Sequence, residues 1–203
     1  MSNRPLVPVA LVLLTANAAK CQTLSIVEVA APDINCVFDT DCTITVSDTV
    51  GPIPVPLATA GGRLQSRTFP PGEPGTAGEG LFAYDYRVDL TPAAGLTAQI
   101  CVNRLTLDFG PIERLDYNRD GRPDDVYVVT RGGLGTVAPS SATQSGRNVT
   151  FNFSPGVCPG NAPGNGETSY FFGLASQQTA RPIVASVRFS DGSLASVDAC
   201  APQ

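Results

Sequence analysis

In the run Asp116-Tyr117-Asn118-Arg119-Asp120-Gly121-Arg122-Pro123-Asp124-Asp125, oxygen-bearing side chains fall at every second position. A glycine follows the third of them, and a further carboxylate comes three residues after that glycine. Hard divalent cations take about six to eight oxygen ligands at short range, and one tight loop can deliver most of them. In the calcium-loop register Asp116, Asn118 and Asp120 supply the first, third and fifth ligands. Gly121 sits where the chain must turn sharply, Arg122 offers its backbone carbonyl, and Asp124 closes the shell, directly or through water. The expected cofactor is therefore Ca2+, held by Asp116, Asn118, Asp120, Arg122 and Asp124. Asp, Asn, Gly and Pro are also ordinary turn residues, but a plain acidic turn does not account for the alternate spacing.

The flanks exclude the usual helix-loop-helix setting. The twelfth position, where a bidentate Glu belongs, is Tyr127, and the β-rich run Val126-Tyr127-Val128-Val129 has already begun there. Before the loop, Leu105-Thr106-Leu107-Asp108-Phe109 alternates with period two, as strands do. Two strands joined by Asp-x-Asn-x-Asp-Gly-x-Pro-Asp resemble the β-hairpin calcium loops of FG-GAP repeats in integrin-like propellers. They are less closely similar to the loops of thrombospondin type-3 repeats and dockerins. The resemblance covers about a dozen residues and implies calcium at the five positions above. It implies no propeller, because the sequence carries one copy and propellers need several. Extracellular calcium modules bind with dissociation constants of about 10⁻⁴ to 10⁻³ M, which suits a structural clamp.

Catalytic chemistry has little to work with. Histidine is absent, which removes Ser-His-Asp and Cys-His catalysis and nearly all catalytic zinc sites. Asp85 and Asp89 share one face of an expected strand at a separation of about 13 Å, long for a glycosidase pair, and read as solvated strand charges. Glu113 and Glu167 have no evident partner, and the Gly160–Gly166 stretch lacks the Lys-Ser/Thr of a phosphate loop. The expectation is a protein that is not an enzyme, with no catalytic residues.

Composition places the chain. It has 203 residues, 15% of them charged and 7% aromatic, with 20 Gly and 18 Pro. Such turn density suits strands better than helices. Arg4, the apolar run Leu6–Leu14 and Ala16-Asn17-Ala18 read as a secretory signal peptide at 1–18, leaving a single domain at 19–203. No stretch reaches the ~20 apolar residues of a membrane span. A net charge of −5 without any basic stripe argues against nucleic acid. Six cysteines in an exported chain predict three disulfides with fifteen possible connectivities, of which Cys36–Cys42, Cys101–Cys158 and Cys21–Cys200 is the one expected.

About ten strands are expected. They include Leu24–Val29, a hairpin of Cys36–Phe38 with Cys42–Val46, and Arg63–Phe69. Leu81–Leu90 reads as a central strand covered on both faces. Gln99–Phe109, Val126–Thr130, Asn148–Phe153, Tyr170–Leu174, Ile183–Phe189 and Ser193–Val197 follow. Gly51–Gly62 and Pro155–Gly166 read as loops. The fold class is all-β, an antiparallel, jelly-roll-like sandwich with a calcium-binding hairpin loop.

The stretch from Gln65 to Ser186, with Tyr84-Asp85-Tyr86-Arg87-Val88-Asp89-Leu90 and Asn165–Leu174, also resembles a loose group of exported bacterial proteins of uncharacterised function. That implies export and no activity. The function expected is an exported structural or interaction module of the cell surface, matrix or an extracellular appendage, stabilised by calcium and disulfides. Its partners would be other surface components or itself. Strand addition by the segment Leu24–Ala30 could build a filament, although pairing of that segment within its own sheet is favoured. One alternative is a carbohydrate-binding module using Tyr84, Tyr86, Tyr170, Phe171 and Phe172 as a stacking platform, although strand aromatics more often form core. The other is a secreted carboxylate-dependent hydrolase.

Overall fold

Period-two alternation accounts for most of the strands. The computed structural model describes residues 21–203; the expected signal peptide lies outside them. Twelve strands follow in order: β1 (Cys21–Leu24), β2 (Ile26–Ala30), β3 (Ser47–Ile53), β4 (Gly62–Thr68), β5 (Phe82–Asp89), β6 (Val102–Asp108), β7 (Val126–Arg131), β8 (Ser141–Ser145), β9 (Asn148–Val157), β10 (Phe172–Ser176), β11 (Ala180–Phe189) and β12 (Leu194–Pro202). They make two six-stranded sheets, β1-β8-β9-β6-β11-β12 and β2-β7-β10-β5-β4-β3. The all-β sandwich is as expected, but with twelve strands instead of about ten. The second sheet is mixed, because β2 runs parallel to β7.

The two extra strands have weak apolar signals. β3 carries Gly51 and Pro52 and lies at a sheet edge, where a missing N–H breaks no ladder. β8 is Ser-Ala-Thr-Gln-Ser, with only Ala142 buried. The expected hairpin of Cys36–Phe38 with Cys42–Val46 is not formed. A 3-10 turn over Asn35–Val37 and an irregular return take its place. The expected Leu24–Val29 strand breaks at Ser25, so that β1 joins the first sheet and β2 the second. The Leu24–Ala30 segment is thus paired within its own chain.

The main core lies between the sheets. Phe172 of β10 packs at its centre, with ring centroids 4.6 Å from Phe151, 5.7 Å from Phe153 and 6.2 Å from Tyr86. Burying each such side chain is worth about 1.5–3 kcal/mol. From β5, Tyr86 reaches across to β12 of the other sheet and donates its phenol to the Cys200 carbonyl at 2.8 Å, and Tyr84 donates to the Gln178 carbonyl, in the β10–β11 connection, at 2.7 Å. These three aromatics are core, so they offer no exposed stacking platform.

A second apolar cluster covers the outer face of the second sheet, so β5 is buried on both faces as expected. It joins Val29, Tyr127, Val129, Ala83 and Ala175 to residues brought in by loops. Ile34, Val37 and Phe38 come from the segment after β2, Phe69 follows β4, and Tyr117 comes from the β6–β7 connection. Phe38 and Phe69 meet edge to face with centroids 5.6 Å apart.

Cys36–Cys42 and Cys101–Cys158 are bonded, as expected. The third pairing is overturned: Cys21 and Cys200 are free thiols. They sit on β1 and β12, the opposite edge strands of one six-stranded sheet, about 24 Å apart at the usual strand spacing. A disulfide needs Cα atoms within about 7 Å.

Candidate functional site

The neck of the 116–124 loop is an antiparallel bridge. Asp124 donates its N–H to the Leu115 carbonyl at 2.8 Å, and Leu115 returns a bond at 3.1 Å. Beyond the neck the chain turns through two left-handed residues, Arg119 (φ 61°) and Gly121 (φ 86°). Gly121 takes this conformation without a Cβ penalty, at the position where the sequence requires the sharp bend. Polar side chains then organise the tip. Asp116 accepts from the N–H groups of Asp120 at 2.9 Å and Gly121 at 2.8 Å. Asn118 accepts from the same Asp120 N–H at 3.1 Å and donates its Nδ2 to Asp120 at 3.1 Å. Asp120 in turn accepts from Arg122 N–H at 2.8 Å.

Three of the five expected ligand residues are therefore brought together: Asp116, Asn118 and Asp120. Arg122 follows the turn with its N–H engaged, and Asp124 contributes its backbone to the neck. Among the described residues no three His, Cys, Asp or Glu side chains form a metal-holding group. The donor set that converges is mixed, two carboxylates and one amide oxygen, and backbone carbonyls and water would have to complete a shell of about six to eight. Each carboxylate or amide oxygen that accepts one N–H keeps a second lone pair for a cation. In donor chemistry the residues fit calcium.

The loop is anchored at two points that sequence reasoning did not assign. Tyr117 turns inward, with its ring centroid 4.7 Å from that of Tyr127, and its oxygen accepts from Ala175 N–H at 3.1 Å. Asp125 is buried and accepts from both the backbone N–H (2.8 Å) and the hydroxyl (2.9 Å) of Ser25, where the chain changes sheets. Ser25 Oγ accepts from Asp125 N–H at 3.0 Å. Arg114 closes the bracket with Nε 3.3 Å from Asp125 and a 2.6 Å bond to the Pro123 carbonyl. The doubled Asp124-Asp125 just before an apolar strand is the one local hint of this role.

Asp85 and Asp89 correct the reading of solvated strand charges, because both are buried. Covering both faces of β5 removes the water that such charges need. Asp89 is bound by Arg63 Nε at 2.8 Å and by Thr91 N–H at 3.0 Å and its hydroxyl at 2.5 Å. Burial pushes its carboxyl up, but the Thr91 and Arg63 hydrogen bonds outweigh that and hold it below the usual range. Asp85 is different: burial drives it up to about 6, against the hydrogen bond from the Tyr127 phenol and the charge of Arg67. The two carboxylates serve separate partners.

Beside Asp85 lies a cavity of about 320 Å³, between the outer face of the second sheet and the 31–46 segment. Ile34, Ile44, Val46, Phe69 and Phe171 supply apolar wall, and Arg67 and Asn35 add polar groups. Arg67 is held by Asp48 at 2.9 Å and lies 4.1 Å over the Phe171 ring.

No protein-family model, curated protein or solved structure matches the chain.

Proposed function

We propose that the protein is an exported structural or interaction module in which a calcium ion at Asp116, Asn118, Asp120, Arg122 and Asp124 locks the β6–β7 connection. The observation that carries this reading is the convergence of Asp116 and Asn118 oxygens on the single N–H of Asp120. A loop already folded around its own oxygens loses little further entropy on taking up a cation. The ion would supply positive charge to the Asp116–Asp120 cluster and rigidity to the neck. Through Asp125 and Ser25 that rigidity would pass to the point where β1 hands over to β2.

Two disulfides fit an oxidising compartment. Among the described residues no helix is long and apolar enough to cross a membrane. Any self-assembly by strand addition would use an edge strand, β1 or β12 of one sheet, β2 or β3 of the other. Electron microscopy of the purified protein with calcium tests this, and monomeric particles at all concentrations would exclude filaments. A carbohydrate-binding role is disfavoured by the burial of Tyr84, Tyr86 and Phe172. A glycan array showing selective binding would reverse that order. Calcium titration by calorimetry, with Asp120→Ala as control, tests the central reading.

A further inference from the structure

Three carboxylates are buried among the described residues: Asp85, Asp89 and Asp125. Two have a cation beside them, Arg63 at 2.8 Å from Asp89 and Arg114 at 3.3 Å from Asp125. Asp85 has none within ion-pair distance among the described residues. Its Oδ1 accepts from the Tyr127 phenol, and among the described residues no donor reaches its Oδ2. Arg67, its cross-strand neighbour, lines the same space and acts on Asp85 through its charge, but its guanidinium is paired with Asp48 and lies over the Phe171 ring. A carboxylate removed from water requires a counter-charge or a proton. Here that carboxylate, itself buried, lines a cavity whose walls join apolar side chains to Arg67 and Asn35.

We propose that this cavity binds a small organic cation, a primary ammonium carried on a compact apolar body, with Asp85 as its counter-ion. A volume of about 320 Å³ is at the low end for small-molecule sites. The apolar body lies against Ile44, Val46, Phe69 and Phe171, and the ammonium meets Oδ2 of Asp85. Asn35 adds a second acceptor: its Nδ2 is spent on the Cys42 carbonyl at 3.3 Å, and among the described residues its oxygen has no donor. An anion is disfavoured, because Asp48 already neutralises Arg67 and Asp85 would repel it.

The charged and titratable groups that act on or face Asp85 are Tyr127 from β7, Arg67 from β4, Asp48 from β3, Tyr86 from β5 itself and Tyr117 from the β6–β7 connection. With burial holding Asp85 up to about 6, the carboxylate is charged above that pH and neutral below it. Cation binding is therefore present above pH 6 and lost as pH falls through it.

The test is an NMR titration of the purified protein with n-butylammonium, n-butanol and butyrate at about pH 7.5 and about pH 5. At the higher pH the ammonium binds about tenfold tighter than the alcohol, the usual margin for one charge-assisted bond. Shifts concentrate on the amides of Gly132, Gly133 and Leu134, which line the cavity. The margin closes at the lower pH, and Asp85→Asn brings the ammonium down to the alcohol. The wild-type pH series stands even if the variant misfolds. Equal binding of the alcohol at the higher pH, preference for butyrate, or no shift with any probe overturns the proposal.

Discussion

The phenol of Tyr127 on β7 hydrogen-bonds Asp85 on β5 across the strand that separates them. The register puts Gly173 of β10 opposite both residues. A Cβ on Gly173 would collide with the Asp85 carboxylate and the Tyr127 hydroxyl. The missing side chain is what lets the two strands on either side of β10 make contact.

Gly173→Ala should therefore destabilise the protein by about 1–3 kcal/mol, the usual cost of overpacking. Tyr127→Phe keeps the ring and removes the donor, for a similar loss of about 1–3 kcal/mol. Urea midpoints would check both. The double variant should lose less than the sum of the two, because Tyr127→Phe removes the hydroxyl collision but leaves those with the ring carbon and with Asp85.

Calcium should raise the melting temperature, and a chelator should reverse the rise. At tenfold excess over the dissociation constant, mass action adds about 1.4 kcal/mol. Asp120→Ala should abolish the response. Asp116→Ala should in addition lower the calcium-free melting temperature, because it strips acceptors from two loop N–H groups. An identical melt in chelator and in calcium removes the proposed site.

Stability should depend on pH through Asp85. Its folded pKa, about 6, exceeds the ordinary 3.8, so the folded state holds the proton more tightly than the unfolded chain. The resulting stabilisation is complete below pH 3.8 and disappears as pH rises through about 6. A shift of this size is worth about 3 kcal/mol. Asp89 has the opposite sign, since its folded pKa is lowered: its contribution is present above the ordinary value and lost as pH falls through the folded one. Denaturation of Asp85→Asn against wild type between about pH 4 and pH 7 isolates the Asp85 part, and parallel curves would refute it.

The two disulfides should differ in weight. Cys101–Cys158 spans 57 residues and Cys36–Cys42 spans 6. Loop-closure entropy then assigns about 4 kcal/mol to the first and about 2 to the second. Paired Cys→Ser variants compared by denaturant midpoint would show the order. Alkylation of the unreduced protein should label two thiols, Cys21 and Cys200, with the exposed Cys21 reacting first.

The strand content was legible where large apolar side chains mark one buried face, as in Leu105–Asp108, or two, as in β5, but not in β3, whose buried face carries Gly51. It was not legible in β8, whose polar residues are strands only because β1 and β9 flank them. Nor was it legible at Asn35–Val37, where β-rich composition gave way to the Phe38 and Phe69 packing of the outer layer.

By itself the sequence determined what happens within a few residues. The alternate oxygens of Asp116, Asn118 and Asp120, and the bend at Gly121, close through hydrogen bonds that span at most five positions. Tertiary structure alone decided the contacts of Asp125 with Ser25, 100 residues apart, and of Tyr127 with Asp85, 42 apart. It also set Cys21 and Cys200 on opposite edges of one sheet. The physical reason is that alternation fixes which face a side chain takes, whereas a strand's neighbours are chosen only when distant segments pair and both faces find cover.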